Sequence, residues 1–454
     1  MRSRIRNIIL LAGDVVVLYA SLVLALALRG GATQLSQFWE NYFWPFTFLY
    51  VMWVAALFIN DFYSPRHWRV NVSFFQALAK AMLVNALAAV VFFYVNYTLG
   101  IAPKTNLALL VLISTALFTL WRFLAAKFMV APSFREPVVF LEVNDHSIEM
   151  VAALAADPAS PWRVAGIICS RCALEGETLN EVPMHKDISV LPELVANHGV
   201  RTIIVGNLAF RDIKPLLYDL MLSGVAIRDA ASFWEDLHSE VPMSTADADW
   251  FLASFSDVRR GPYDAFKRIL DLSLAVFLVV CFWWLMALIA IGVKLTSPGP
   301  ILYRQKRVGR HGRVFTLYKF RTMVADAEKE GAQWATKGDQ RATKFGRILR
   351  HSHLDEFPQL WNIFRGEMSF FGPRPERPEF VEQLKLEIPF YSLRHLVKPG
   401  ISGWAQINYR YGSSVEDARR KLAYDLYYIK RRSPFLDIQI GLKTLAMFFR
   451  GEGR

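Results

Sequence analysis

Leu272-Ser-Leu-Ala-Val-Phe-Leu-Val-Val-Cys-Phe-Trp-Trp-Leu-Met-Ala-Leu-Ile-Ala-Ile-Gly-Val293 is a run of 22 residues without a charge. As a helix it measures about 33 Å at 1.5 Å per residue, long enough to cross the hydrocarbon of a bilayer. Whether it crosses decides on which side everything after it lies. Arg259, Arg260, Lys267 and Arg268 precede it, and Lys294, Arg304, Lys306 and Arg307 follow it. Basic flanks tend to stay on the cytoplasmic face. Positive charge at both ends therefore favours a segment that enters and leaves by the same face.

The same apolar character fills the first 130 residues. Stretches at about Ile8–Leu28, Tyr42–Ile59, Phe74–Tyr97 and Leu107–Leu124 each approach the ~20 residues that span a bilayer. The first lacks the small-residue cleavage site of a signal peptide and precedes three more spans, so it is read as retained. Asp14 within it is costly in lipid and is expected to face other helices. Arg2, Arg4, Arg6, Arg66, Arg69, Lys80, Arg122, Lys127 and Arg135 fall on one side of the spans, and Arg29 and Lys104 on the other. The positive-inside rule then puts both ends of a four-helix transmembrane bundle, residues 1–135, in the cytoplasm.

Composition agrees with a membrane protein. Hydrophobic residues make up 54% of the 454-residue chain and charged residues 20%, with a mean hydropathy of +0.24. These values exclude a disordered, collagen-like or coiled-coil chain. Against 40 acidic residues stand 52 basic ones, a net charge of +12. Beside apolar segments, such an excess points to anionic lipid or phosphate partners rather than nucleic acid. Three cysteines exclude a disulfide framework, and the Cys169-Ser-Arg-Cys172 pair lacks the second pair or His cluster of a zinc site.

From residue 136 to about 257 the texture changes. Pro137–Leu141, Val164–Ile168 and Thr202–Val205 are short β-rich runs, with helical patterns at about Ser147–Ala156 and Ile213–Ser223 between them. Strands alternating with helices read as an α/β domain with a parallel sheet. The turn after its first strand reads Glu142-Val-Asn-Asp-His146, without the glycines that cradle a dinucleotide. The outline is Rossmann-like without the nucleotide fingerprint, and the domain is read as structural or regulatory.

The chemistry sits in residues 258–454. Between Lys294 and Arg350 fall 14 Lys or Arg and four Asp or Glu. They interleave with glycines and aromatics, as in Arg304-Gln-Lys-Arg-Val-Gly-Arg-His-Gly-Arg313 and Phe315–Met323. Glycines let a backbone approach an anion, and arginines pair bidentately with phosphate. Next comes Leu349-Arg-His-Ser-His-Leu-Asp-Glu-Phe-Pro-Gln-Leu-Trp-Asn-Ile-Phe364. Ser352 and Asp355 fit the capping box that starts a helix, and Pro358 is tolerable in a first turn. A carboxylate there is stabilised as the anion, and the free N–H groups also favour phosphate. Asp355 has the chemistry to attack phosphorus, and Glu356 beside it to hold Mg²⁺ against a diphosphate. Arg350 supplies a nearby cation, and the prolines of Gly372-Pro-Arg-Pro-Glu-Arg-Pro378 stiffen the backbone around Arg374 and Arg377.

These residues carry a resemblance. From Lys267 to about Phe448 the chain resembles the catalytic domain of the monotopic polyprenyl-phosphate phosphoglycosyl transferases. The matching motifs, in order, are KRILD at Lys267, SPGP at Ser297, KFRTM at Lys319, LDE at Leu354, GPRP at Gly372 and PGISGWAQ at Pro399. The whole chain is similar to the large, four-span bacterial members that initiate O-antigen or exopolysaccharide synthesis. Its tail, Trp404–Gly412 and Tyr424–Ile429, looks like the exopolysaccharide branch.

The resemblance implies a ping-pong transfer with Asp355 and Glu356 as the catalytic dyad. Asp355 would attack the β-phosphorus of a UDP-sugar and expel UMP, and the bound sugar phosphate would pass to undecaprenyl phosphate. It implies Mg²⁺ at Glu356 and Asp355, and phosphate contacts from Lys319, Arg321, Arg350, Arg374 and Arg377. Large members of the family suggest a homodimer, for which the middle domain could serve as interface, and the sequence leaves the oligomeric state open. The location implied is the bacterial inner membrane, multi-pass, with the catalytic domain on the cytoplasmic face. It also implies that the segment at about 266–294 is re-entrant, a helix broken mid-membrane. Here the middle reads Val280-Cys-Phe-Trp-Trp-Leu285, without the proline that commonly makes the break.

The expected fold is therefore a membrane α-helical bundle plus α/β. It combines four transmembrane helices, a Rossmann-like domain, and a mostly helical membrane-associated catalytic domain with a re-entrant helix. A membrane-anchored nucleotide-sugar dehydratase is disfavoured by the missing glycine fingerprint. A non-catalytic scaffold is disfavoured by the intact dyad and cations. A metal-dependent glycosyltransferase needs a DxD motif, and Asp247-Ala-Asp249 lies ahead of the catalytic third. The motifs leave the sugar open, because pocket shape sets it.

Overall fold

The computed structural model describes residues 2–36, 38–60, 62–63, 72–95, 103–129, 135–143, 145–156, 160, 162–170, 178–206, 214–243, 248–256, 261–323, 341, 343–409 and 414–449. Arg66, Arg69, Cys172, Asp247, Arg259 and Arg260 lie outside these residues, as does the expected boundary at 257/258. The chain divides into two compact units, residues 1–233 and 234–454.

The first unit opens with four helices, α1 (Arg2–Ser36), α2 (Phe43–Ile59), α3 (Val72–Val95) and α4 (Pro103–Met129). Each contains a stretch long and apolar enough to cross a membrane, and the chain is a membrane protein. Leu18, Leu22, Leu49, Trp53 and Phe93 form one packed cluster, and Leu10, Phe74, Leu78 and Phe118 another. Asp14 faces other helices as expected. It is fully buried and pairs with Arg122 at 2.5 Å, and Arg122 also donates to the Phe62 carbonyl at 2.8 Å. This corrects the loop-charge reading, because Arg122 lies inside α4 with its charge already compensated. Lys80 likewise sits within α3 rather than in a loop.

The sheet of the first unit is built from β1 (Glu136–Leu141), β2 (Trp162–Ile168), β3 (Thr178–Leu179), β4 (Val182–His185), β5 (Thr202–Val205) and β6 (Ala226–Asp229). Its order is β3-β4-β2-β1-β5-β6, parallel except for the β3–β4 pair. Helices α5 (Asp145–Ala156), α6 (Leu191–His198) and α7 (Lys214–Leu222) alternate with the strands, as β-rich runs buried on both faces require. The turn after β1 is closed by an acid. Glu142 takes a left-handed backbone at φ 51°, and its carboxylate accepts from the Ser170 N–H at 3.1 Å and from the Ser170 hydroxyl. Gly206 abuts this turn so closely that a Cβ would lie 2.1 Å from the Glu142 carbonyl oxygen.

The second compact unit runs from residue 234. After α8 (Ala230–His238), Val241 and the α9 (Ala248–Phe255) residues Phe251 and Phe255 join a core with Val381, Leu384, Tyr391, Trp404, Leu426 and Ile440. Next comes α10 (Gly261–Thr296), 36 residues long and continuous through Val280–Leu285. The expected mid-helix break is absent, consistent with a sequence that offers no proline there. The hairpin of β7 (Leu302–Val308) and β8 (Val314–Phe320) follows, then α11 (Lys344–His351), a 3₁₀ turn at Leu354–Gln359 and α12 (Leu360–Phe364). Two short parallel strands, β9 (Ser369–Phe371) and β10 (Gly400–Ser402), flank α13 (Pro378–Glu387). Helices α14 (Trp404–Asn408), α15 (Val415–Arg431) and α16 (Pro434–Phe449) complete the unit.

Along its whole length α10 rests on its own unit. Arg268 donates to the Ile363 and Phe364 carbonyls at 2.6 and 2.9 Å, and Asp271 accepts from Ser369 and Phe370. Ala275 packs with Leu317 and Ile363. Phe282 meets the Phe357 ring at 6.2 Å, and Ile289 and Val293 pack with Phe320 and Leu349. Val276, Phe277, Val280, Trp283, Trp284 and Leu288 on the other face are exposed.

Candidate active site

The site forms where β8 meets the 3₁₀ turn. α11 is capped at its start by Thr343, whose side chain accepts from the Gly346 N–H at 2.9 Å. It ends at Ser352, whose hydroxyl donates back to the Ile348 carbonyl at 2.9 Å. His353 then takes a left-handed backbone at φ 52° and starts the turn that carries Asp355 and Glu356. The expected Ser352–Asp355 capping box is thus not formed, because the serine closes the preceding helix instead. A capping box of the same spacing does form at Ser414 and Asp417, at the start of α15.

Asn362 staples the turn to β8. Its side-chain N–H₂ donates to the Thr316 carbonyl and to Glu367, both at 2.7 Å, and its side-chain oxygen accepts from the Tyr318 N–H at 3.3 Å. That register brings Lys319 onto Glu356. Lys319 Nζ donates to Glu356 Oε1 at 2.6 Å, and Arg374 Nη2 donates to the same oxygen at 2.9 Å. Among the described residues no hydrogen bond holds Asp355.

The two carboxylates are shifted in opposite directions. Burial acts to raise Glu356, but the charges and hydrogen bonds of Lys319 and Arg374 outweigh it and hold the group far below the usual carboxylate range. Burial raises Asp355, and the charge of Glu356 adds to the rise. Lys319, Arg350 and Arg374 oppose it only in part, so Asp355 titrates above an ordinary aspartate. The result is one permanently ionised acid and one unpinned acid of raised basicity, side by side.

Arg374 is itself braced. Arg394, ion-paired with buried Asp425 at 2.8 Å, donates to the Arg374 carbonyl at 3.0 Å, and Arg307 donates to the Pro375 carbonyl at 2.8 Å. A small cavity lies beside this segment, lined by Arg374, Arg394 and His395 among others. Burial and the Arg394 charge push His395 down to about 3, so its ring is neutral.

Of the residues expected at the site, the structure brings together Asp355, Glu356, Lys319 and Arg374. Arg350 lies near enough to act on Asp355, and its Nε donates to the Thr322 hydroxyl at 2.9 Å. Arg377 turns to Glu379 at 3.6 Å and to the Phe380 ring. Arg321 is elsewhere. It is buried and donates to the carbonyls of Ser297 and Pro298 at 2.6 and 2.9 Å, tying down the SPGP turn. Asn362 and the Arg394–Asp425 pair carried no sequence signal, since their roles depend on partners 31 to 46 positions away. No group of three or more metal-ligating side chains occurs among the described residues. The oxygens of Asp355 and the second oxygen of Glu356 remain, which suits a Mg²⁺ bound by one or two carboxylates and substrate phosphate.

Comparison with known proteins places the second unit. The bacterial sugar transferase family matches residues 262–451. An Aeromonas hydrophila protein named UDP-N-acetylgalactosamine-undecaprenyl-phosphate N-acetylgalactosaminephosphotransferase is 46% identical over 191 residues, covering 42% of this chain and 45% of the relative. A Xanthomonas campestris pv. campestris UDP-glucose:undecaprenyl-phosphate glucose-1-phosphate transferase is 46% identical over 181 residues, covering 39% of this chain and 37% of the relative. A Bacillus subtilis (strain 168) protein named as an uncharacterized sugar transferase is 39% identical over 187 residues, which cover 41% of this chain and 89% of that protein. The chain therefore spans less than half the length of the first two relatives and nearly all of the third.

Proposed function

Because the chain belongs to the bacterial sugar transferase family, we propose that it transfers a sugar 1-phosphate from a UDP-sugar to undecaprenyl phosphate and releases UMP. The observation that carries this reading is the split of the dyad. Glu356 is pinned by two cations, while Asp355 is unpinned, buried and more basic than usual.

In the first half-reaction an Asp355 carboxylate oxygen bonds to the β-phosphorus of the UDP-sugar. The bond from that phosphorus to the bridging oxygen breaks, and the oxygen leaves with UMP. In the second half, a phosphate oxygen of undecaprenyl phosphate attacks the same phosphorus. Asp355 departs as a carboxylate, leaving a diphosphate-linked sugar. Lys319, Arg350 and Arg374 offset the charge that develops on the phosphoryl oxygens. Mg²⁺, which we assign to Glu356 with Asp355 beside it, supplies charge neutralisation of the diphosphate when bound.

We assign the catalytic unit to the cytoplasmic face of the inner membrane and the protein to a homodimer, at the first membrane step of exopolysaccharide or O-antigen synthesis, with α10 re-entrant only in that both its ends stay on that face, the unbroken helix lying within one leaflet. The packing of both ends and the middle of α10 on one unit supports re-entry. A crossing would require that unit to follow the helix through the bilayer. Two relatives of equal identity are named for different donors, N-acetylgalactosamine and glucose, so the donor is sought with a panel.

The test is UMP release from a panel of UDP-sugars by the full chain with Mg²⁺ and undecaprenyl phosphate, beside Asp355→Asn. Release with one donor, lost in the variant, is the expected result. A donor that yields UMP equally with both proteins overturns the role of Asp355. No release from any donor by folded protein in native-like lipid favours a non-catalytic scaffold.

A further inference from the structure

We propose that Arg268, Arg310 and Lys398 form a second anion site in the catalytic unit, one that binds the phosphate of a membrane lipid at the start of α10. Arg268 and Lys398 meet there, the charge of Arg310 acts on Lys398, and among the described residues the one unpaired acid nearby, Asp271, does not match the three cations. Among the described residues Arg268 is hydrogen-bonded only to the carbonyls of Ile363 and Phe364, neutral acceptors that do not cancel its charge. Lys398 is half-buried and has no hydrogen-bond or ion-pair partner among the described residues. Arg310 sits in the short turn Arg310–Gly312, and its Nε is buried without a partner among them.

Gly366 lies between two of these groups. Arg268 Nη2 and Lys398 Nζ are each 3.5 Å from the point where a Cβ on Gly366 would sit. Its backbone is left-handed at φ 77°, which further favours glycine, so no side chain grows into the space between the two nitrogens. Burial lowers Lys398, and the charges of Arg268 and Arg310 lower it further, against Asp271 and Asp264. Asp264 is engaged by another cation, and Asp271, held only by neutral donors, offsets one of the three charges. Asp271 accepts from Ser369 and Phe370, and Asp264 pairs with Arg432 at 2.6 Å. The cluster thus keeps a positive excess that a phosphate would relieve, with donors of the kind phosphate accepts from.

The surroundings select a lipid as the source of that phosphate. Phe266, Ile269 and Leu270, within one turn of Arg268, are exposed apolar residues at the start of the membrane helix. A headgroup at the cations would leave its chains against them. The charges that act most on the dyad come from a different set of cations, Lys319, Arg350 and Arg374.

The test titrates dioctanoyl phosphatidylglycerol into the detergent-solubilised full chain by calorimetry, without UDP-sugar. The expected result is saturable binding that weakens about tenfold in Lys398→Gln and in Arg310→Gln, and is kept in Lys398→Arg. Repeating the titration in Asp355→Asn keeps this readout independent of turnover, so the failure of either proposal is visible without the other. Farnesyl phosphate is titrated in parallel. Tighter binding than phosphatidylglycerol, lost in Lys398→Gln, names the polyprenyl phosphate as the lipid, and the reverse order names bulk phospholipid. Unsaturable binding, binding equal in wild type and both Gln variants, or binding of inorganic phosphate alone overturns the proposal.

Discussion

Asp355 and Glu356 are neighbours in the chain and opposites in their bonding. One oxygen of Glu356 accepts from both Lys319 and Arg374, while Asp355 has no hydrogen-bond partner among the described residues. A nucleophile must be unpinned and basic, and a charge anchor must be neither. The shared turn supplies both because the left-handed His353 starts it and Asn362 fixes its register on β8.

The raised position of Asp355 predicts the acid limb of the rate. The attacking form is the carboxylate, so activity should fall on acidification at a pH above that of an ordinary aspartate. Glu356 contributes to the rise. Glu356→Gln should therefore move the limb to lower pH, whatever it does to the maximum rate. A pH–rate profile of UMP release for both proteins checks this, and an unmoved limb contradicts it.

Lys319 and Arg374 meet on one oxygen, so their losses should not add. Lys319→Ala and Arg374→Ala are each expected to lower kcat/KM by about 10²-fold, in the range of a lost transition-state donor. The double variant should fall by less than the product of the two. Full additivity in a double-mutant cycle would show that the two act independently.

Asn362→Ala should destabilise the catalytic unit by roughly 1–3 kcal/mol, because it removes a buried side chain that bonds the Thr316 carbonyl, the Tyr318 N–H and Glu367. It should also lower kcat more than it raises KM, since Lys319 loses its register against Glu356. Chemical denaturation and steady-state kinetics on the same preparation separate the two effects.

Arg321→Lys tests a residue that sequence alone puts beside the substrate. The structure ties its two terminal nitrogens to Ser297 and Pro298, so the variant should lower thermal stability and leave the donor KM near wild type. A large KM change at unchanged stability would return Arg321 to the substrate.

Asp14→Asn leaves Arg122 buried among helices without its counter-charge. A loss of roughly 3–5 kcal/mol is expected, read as earlier thermal aggregation of the solubilised protein. Asp14→Asn combined with Arg122→Gln should recover part of it.

The local chemistry was legible in sequence where the signal was local. The apolar spans and the missing glycine loop after β1 are each carried by contiguous residues, and Lys319, the Asp355–Glu356 dyad and Arg374 each stand in a short motif, whereas their meeting on one oxygen of Glu356 is seen only in the structure. The failures share a cause. Strand alternation puts Lys319 and Arg321 on one face, but β8 ends at Phe320, and Arg321 swings back to the SPGP turn. Ser352 and Ser414 each precede an aspartate by three residues, yet only Ser414 caps, because Ser352 is claimed by the helix before it. Arg122 reads as a loop charge until its partner 108 positions away is known. Each outcome depends on a distant partner or a neighbouring element, which residue spacing does not encode.

The way α10 is held has an engineering consequence. One face is locked to the catalytic unit at both ends and in the middle, and the other is bare and oily. The grip on the bilayer is therefore a built-in part of the enzyme body, not a detachable leash. Grafting a foreign transmembrane helix in its place would strip Arg268, Asp271 and Ala275 from the interior they help to build. A portable version would be cut ahead of residue 234, where the core that includes Phe251 and Phe255 begins, and would still partition with membranes after losing all four preceding helices.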